Sequence, residues 1–284
     1  MQQLTAPPRS TSQAAAESPP SRPGSGAMFD SIAARYDRLN RLLSLGLDRR
    51  WRRRAVASLG AQPGWRILDL ATGTADVAIE AAQQQSAATV VGLDPSRQML
   101  AVGERKVAEA GLAGRIELRH GHGESLPFDD DTFDGVTIAW GIRNVADRPA
   151  SLREMARVVR PDGRIAILES NEPRSGPLAW GARLYLHQVV PRVGAWLSQE
   201  RAYRYLQTST EAFPAPEEFA KLMASCGLEV LEVQPQTFGV CCLYVARPGV
   251  ARPGVARPGV ARPEVARPAQ AQPPGAQPDL GGVR

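Results

Sequence analysis

The sequence predicts an α/β protein built on a doubly wound, mostly parallel sheet of seven strands. Three observations lead to it. Trp65-Arg-Ile-Leu-Asp-Leu-Ala-Thr-Gly-Thr-Ala-Asp76, a helical run and then Thr89-Val-Val-Gly-Leu-Asp94 read as strand, tight turn, helix and strand. Units of this kind recur as far as Glu169, and alternating βα units imply a parallel sheet with helices on both faces. Two final strands, near 229–234 and 238–245, are joined by so few residues that they must pair antiparallel.

The 284 residues are 43% hydrophobic, enough for one large domain with a buried core. No apolar run approaches the roughly 18–20 residues that span a bilayer. Residues 1–27, rich in Pro, Ser, Gln and Ala, lack the apolar centre of a secretory signal and read as a disordered tail. An organelle-targeting reading rests only on two arginines against one acid, without an amphipathic period. The net charge of +5 comes from the ends: Arg9 and Arg22 against Glu17, and six arginines after Val245 against Glu264 and Asp279. The segment between is neutral, unlike a nucleic-acid-binding domain. Cys226, Cys241 and Cys242 lack metal-ligand spacing and read as reduced, partly buried thiols, so no metal site is suggested.

In chain order, Phe29, Ile32, Ala33 and Tyr36 share one face of a helix. Asp48 is placed to cap the next helix, where Trp51, Ala55 and Leu59 share a face and Gly60 closes it. The other face carries Arg49, Arg50, Arg52, Arg53 and Arg54. It is either a solvated charged face or a contact with anionic lipid. The strand at 66–72, a helix after Asp76 and the strand at 89–94 follow. Then come a helix with Leu100, Gly103 and Val107 on one face, a third strand at Arg115–His120 and a fourth at Phe133–Trp140. Leu152, Met155, Ala156 and Val159 mark a helix that Pro161-Asp162-Gly163 should stop before a fifth strand, Arg164–Glu169. Residues 171–213 break the alternation and read as inserted helices covering the site. Pro216 opens a helix with Phe219, Leu222, Met223 and Cys226 on one face, capped by Gly227. From Val245 the chain repeats Val-Ala-Arg-Pro-Gly three times, then Val-Ala-Arg-Pro-Glu and Val-Ala-Arg-Pro-Ala. A proline every fifth residue argues against helix and sheet alike, so this reads as an extended low-complexity tail.

The turn after the first strand narrows the ligand. A dinucleotide site uses G-x-G-x-x-G to seat a pyrophosphate on a helix N-terminus. Ala71-Thr72-Gly73-Thr74-Ala75-Asp76 has one glycine and ends in an acid, which a pyrophosphate would meet at the positive end of the helix dipole. A phosphate-free, cationic nucleoside fits better: S-adenosylmethionine, with Asp69 and Asp76 facing its ammonium and sulfonium charges. Gly73 lets the backbone approach it, and Asp94, 21 residues on, accepts from the ribose hydroxyls. The alternatives are a structural turn with two solvated acids, a nicotinamide oxidoreductase that would need more glycines, and a non-catalytic binding module.

Four blocks extend this reading. They are Phe29-Asp-Ser-Ile-Ala-Ala-Arg-Tyr36-Asp37-Arg-Leu-Asn40 with Ser44 and Trp51, and Asp69-Leu-Ala-Thr-Gly73-Thr74-Ala-Asp76. The others are Leu126–Asp134 with Gly141-Ile-Arg143-Asn144-Val145, and Arg157–Gly163 with Glu169. With them the chain resembles the menaquinone/ubiquinone biosynthesis C-methyltransferases over about residues 28–246. Asp48, Thr72, Asp162 and Asn171 depart from the family's usual His, Gly or Cys, Gly and Ser.

The resemblance implies the fold of S-adenosylmethionine-dependent methyltransferases, with the domain at 28–246 between tails at 1–27 and 247–284. It implies methyl transfer to a ring carbon of a prenylated quinol: demethylmenaquinol, or alternatively the ubiquinone equivalent, both, or another small molecule. Gly73-Thr74-Ala75-Asp76 and Thr237-Phe238-Gly239-Val240 look more like the menaquinone-type members. Thr74, Asp94, His122 and Gly123 fall on cofactor positions, beside Asp69, Gly73 and Asp76; Ala139 could contribute only backbone. Tyr36, Asn144 and Tyr205 are the implied substrate contacts. Arg143 is the candidate for stabilising charge on the substrate oxygen, or else an arginine that ties down the next loop. The base is left among His120, His122 and Glu169. The implied partners are the prenylated quinol, a membrane surface touched through Arg49–Arg54, and a second copy or a quinone-biosynthesis complex, with no nucleic acid. The implied location is the cytoplasm, or the periphery of the membrane's inner face.

Asp94→Ala tests the cofactor reading. It should weaken binding of S-adenosylmethionine by about 1.5–3 kcal/mol for each hydrogen bond lost to the charged group. Calorimetric titration reads this directly, and unchanged affinity would remove Asp94 from the site.

Overall fold

A computed structural model describes residues 29–30, 33, 36–173, 181, 184, 188 and 207–249. The expected N-terminal tail, Ile32, nearly all of the expected insertion, Tyr205 and the chain after Gly249 lie outside the described residues. Two helices, α1 (Tyr36–Leu43) and α2 (Leu47–Ser58), lead into β1 (Arg66–Leu70), α3 (Asp76–Gln84), β2 (Thr89–Asp94), α4 (Arg97–Glu109) and β3 (Ile116–His120). Then come β4 (Phe133–Ala139), α5 (Arg148–Val158), β5 (Val159–Ser170), α6 (Pro216–Ser225), β6 (Leu228–Gln236) and β7 (Cys241–Pro248).

The seven strands are ordered β3-β2-β1-β4-β5-β7-β6. Pairing is parallel from β3 through β5, and β7 runs antiparallel to both β5 and β6. The expected fold is met, including the antiparallel last strand. The order reverses at β1 and β4, so connections leave their carboxyl ends in opposite directions and open a crevice there.

Strand side chains alternate between the two faces of the sheet, and each face has its own core. Leu68, Leu70, Val91, Leu93, Val136 and Ile138 pack with Leu152 and Met155 of α5 and Phe219 and Met223 of α6. On the other face Ile67, Val90, Ala166, Leu168 and Leu243 meet Trp51, Ala55 and Val56 of α2 and the small residues Ala78, Ala81 and Ala82 of α3.

Three local expectations are corrected. Asp48 does not cap α2: the cap is Gly46, at φ 80°, and Asp48 lies buried in the first turn. The fifth strand begins at Val159, before Pro161-Asp162-Gly163. Phe133 pairs with Val159 and Gly135 with Arg164, so residues 160–163 bulge opposite Asp134. A Cβ on Gly163 would lie 2.5 Å from the Asp134 carbonyl oxygen, so the bulge needs glycine there.

The third correction concerns the repeat, whose first copy belongs to the sheet. Val245 and Ala246 are buried between β5 and β6. Arg247 forms a two-pronged pair with Glu229 (2.8 and 2.9 Å), and the Gly249 N–H donates to the Gly227 carbonyl (2.8 Å). Pro248 is tolerated because β5 pairing has ended at Ala246, so its missing N–H removes no ladder bond on that side. A chain ended after Gly249 should therefore unfold in one cooperative urea transition, whereas one ended after Leu243 loses buried Tyr244, Val245 and Ala246 and should not. A cooperative transition in the shorter chain would show that the repeat copy is dispensable to the sheet.

Candidate active site

The crevice at the ends of β1, β2 and β4 is a cleft of about 790 Å³, part of it open to solvent. Its floor is the turn after β1. Ala71, Gly73 and Ala75 all take positive φ, at 53°, 55° and 65°, and a Cβ on Gly73 would meet no atom within 4 Å. Such a path brings the backbone close to a ligand.

Asp94 ends β2 at the edge of this turn and is only 7% exposed. One of its carboxylate oxygens accepts from the Gly73 N–H (2.8 Å) and the other from the Ser96 N–H (2.8 Å). Each oxygen keeps acceptor capacity for a ligand donor. Burial pushes its carboxyl up to about 6, against those two backbone bonds. Around it, Phe29, Leu93 and Met99 give the cleft an apolar flank. Ser96 caps α4 by accepting from the Met99 N–H (3.1 Å) and donates to Asp30 (2.5 Å), which ties the N-terminal segment over this edge.

Of the sequence-assigned cofactor residues, Gly73, Asp94, His122 and Gly123 line the cleft, and Asp69, Thr74 and Asp76 do not. Asp69 lies beneath the floor, 1% exposed, and accepts from Thr72 Oγ1 (2.6 Å) and Thr137 Oγ1 (2.7 Å). It therefore braces the turn instead of facing a cationic ligand. Burial raises its carboxyl to about 6 although both hydroxyls oppose the shift.

Asp76 and Thr74 belong to a network that sequence patterns did not reveal. Asp76 pairs with both Arg52 and Lys106. Arg52 also pairs with Asp48, and Lys106 reaches Asp37 of α1 (2.5 Å) and Thr74 Oγ1 (3.1 Å). The Thr74 hydroxyl donates to Asp37 (2.6 Å). Burial alone would raise the Asp76 carboxyl, but Arg52 and then Lys106 outweigh it and hold the group below the ordinary carboxylate range. The amino end of α3, where a dinucleotide's pyrophosphate would sit, is thus occupied by the protein's own ion pairs. Arg52 is 7% exposed, not part of a solvated face, and its guanidinium lies 5.5 Å from the Trp140 ring centre in the cleft wall.

That wall, Trp140 to Val145, is held from behind by Arg143. The guanidinium pairs with buried Glu169 and donates to the Trp140 carbonyl (3.1 Å), and the Arg143 N–H donates to Glu169 (3.2 Å). Arg143 does not line the cleft, so the geometry matches the loop-tying alternative. Asn144 and Tyr36, two of the implied substrate contacts, do line it. Burial raises the Tyr36 phenol, opposed by its bond to Asn40 and by the nearby charges of Arg143 and Arg52. Among the candidate bases, Glu169 is committed to Arg143 and the Ser170 N–H (2.7 Å), and exposed His120 sits 3.1 Å from the Pro95 carbonyl. His122 faces the cleft.

Residues 21–247 match the ubiE/COQ5 methyltransferase family. The chain belongs to that family. It is 49% identical over 224 residues to the ubiquinone/menaquinone biosynthesis C-methyltransferase UbiE of Geobacter sulfurreducens, covering 78% of this chain and 88% of that one. It is 45% identical over 219 residues to the demethylmenaquinone methyltransferase of Thermus thermophilus, covering 77% and 98%. Among solved structures it resembles a SAM-dependent methyltransferase from Aquifex aeolicus (TM-score 0.56, 18% identity, covering 76% and 97%). It equally resembles the cyclase SpnF (TM-score 0.59, 16% identity, covering 80% and 96%), so the fold alone does not name the chemistry. Membership decides it: the enzyme is an S-adenosylmethionine-dependent methyltransferase. The cleft fits that cofactor, with the Asp94 carboxylate beside an apolar flank and no vacant phosphate seat at α3.

Buried Asp69 has a pH signature. Burial holds its carboxyl at about 6, above the ordinary 3.8, so the folded protein holds this proton more tightly. Its protonated form costs nothing below about pH 4, and stability is lost as pH rises toward 6, by about 3 kcal/mol at 1.36 kcal/mol per unit. Asp69→Asn removes that titration. Its stability relative to the native chain, read by urea unfolding, should improve by about this amount between pH 4 and pH 7. A pH-independent difference would contradict the burial argument.

Proposed function

We propose that the enzyme methylates a ring carbon of demethylmenaquinol, giving menaquinol in respiratory quinone biosynthesis. The observation that carries this reading is the 45% identity across 98% of the Thermus thermophilus demethylmenaquinone methyltransferase. The Geobacter relative is named for both quinones, which favours a second reading: methylation of the ubiquinone precursor by the same site.

When bound, S-adenosylmethionine supplies a methyl group activated by its positive sulfur. The chain's own residues then have to bind, align and keep out water, which is most of what such a transfer needs. Asp94 takes the ribose hydroxyls, and the Gly73 turn admits the cofactor's backbone-facing edge. Phe29, Leu93 and Met99 cover the apolar side. The acceptor ring belongs against Tyr36, Trp140 and Asn144, which line the same cleft. Arg143 and Glu169 act as positioning residues, keeping the Trp140–Val145 wall in place with a fixed ion pair. Of the three bases the sequence offered, His122 is the one that lines the cleft, and it takes up the proton released by the ring hydroxyl or ring carbon.

The acceptor must be the reduced form. A quinone ring is electron-poor, whereas a quinol pushes electron density from oxygen onto the adjacent carbon. Single-turnover transfer from labelled cofactor to demethylmenaquinone should therefore require a reductant. Equal rates with and without it would rule out the quinol mechanism. Faster transfer to the benzoquinol precursor than to demethylmenaquinol would favour the second reading.

A further inference from the structure

The hairpin of α1 and α2 carries a surface that the methyl-transfer site does not use. Leu42 is 48% exposed and Leu45 70% exposed. Both sit at the turn, where the Gly46 N–H donates to the Arg41 carbonyl (2.8 Å) and the Ser44 hydroxyl to Asp48 (2.8 Å). Leu45 takes φ 52° immediately before Gly46. A leucine held in a left-handed conformation and turned to solvent is costly twice over, in strain and in exposed apolar surface.

Among the described residues of the two helices, the exposed charge has one sign. Arg38, Arg41, Arg49 and Arg50 are exposed. The acids of the two helices turn inward: Asp37 onto Thr74 and Lys106, and Asp48 onto Ser44 and Arg52. Arg38 stands one helical turn before Leu42 on α1, and Arg49 and Arg50 lie in the first turn of α2, a few residues after Leu45. Leu42 lies about 9 Å along α1 from Tyr36 at 1.5 Å per residue, and Tyr36 lines the cleft.

We propose that this turn is the membrane-docking element, with Leu42 and Leu45 entering the headgroup region of an anionic lipid surface and the four arginines binding its phosphates. An apolar tip within a basic ring suits such an interface. Arg52, the innermost arginine of the run, takes no part because it is spent in the buried network. The proposal rests on the reading of the acceptor as a membrane-borne quinol. Docking at this turn would bring α1, whose Tyr36 lines the cleft, to the surface that holds it.

Flotation of the full chain with vesicles tests it, using equal parts phosphatidylglycerol and phosphatidylcholine against phosphatidylcholine alone. The native chain should float with the anionic vesicles only. Arg49→Gln with Arg50→Gln should weaken that binding roughly 25-fold, at about five-fold per basic side chain. Leu42→Ser with Leu45→Ser, which leaves every charge in place, should weaken it at least about ten-fold. Undiminished binding by both variants, or no binding by the native chain, overturns the proposal. Methylation of a short-chain acceptor in detergent is the second readout: native rates in both variants support a docking role, and rates that fall in step with vesicle binding overturn it. If the native chain transfers to no quinol in detergent, it is the acceptor assignment that fails, while the flotation result still decides docking.

Discussion

The ion pairs that converge on Asp76 organise the site. Arg52 and Lys106 share its carboxylate, and through them α1, α2, α3, α4 and the Gly73 turn meet at one point. Partly buried charges like these gain little net stability, because desolvation offsets most of their attraction. What they contribute is arrangement: removing one member leaves the others under-compensated, so alternative packings of the N-terminal helices are penalised. The cleft inherits this order twice, through the turn on which Thr74 sits and through Arg52 against the Trp140 ring. A second pair, Arg143 with Glu169, fixes the Trp140–Val145 wall from behind.

Two carboxylates at the strand ends show how burial divides labour. Asp69 and Asp94 are both raised to about 6 by burial. Asp69 spends its acceptors on two threonine hydroxyls beneath the turn, whereas Asp94 takes only backbone N–H groups and keeps capacity toward the cleft. The first keeps the floor rigid and the second meets the ligand. Both carboxylates lie on the same face of the sheet, Asp69 beside Gly92 and Asp94 two residues further along β2, so position along the strand separates their roles.

Most of the fold was legible because it is written in short-range patterns. The apolar run of β1, the single glycine after it and the acid ending β2 are read within thirty residues of each other, and the cleft formed where they led. What escaped depends on partners distant in sequence. The helical period put Arg52 on a polar face with its neighbours, and no local signal marks it as the partner of Asp76, 24 residues on. Lys106 and Asp37, 69 residues apart, are equally silent. Asp48 has the right chemistry for a cap, but the helix starts two residues earlier at the left-handed Gly46, and the acid pairs inside with Arg52. The bulge at 160–163 was hidden because Pro-Asp-Gly normally ends an element.

The last strand closes on a detail of the repeat. Its first copy runs in β7 from Val245 to Pro248, with Gly249 bonded to Gly227 just beyond, while the two copies that follow have the same five residues. A gain or loss of one whole unit from this uniform part of the array therefore presents β7 with an unchanged sequence. The array can change length in steps of one unit and still offer β7 the same five residues, since whichever copy comes first becomes the strand's end.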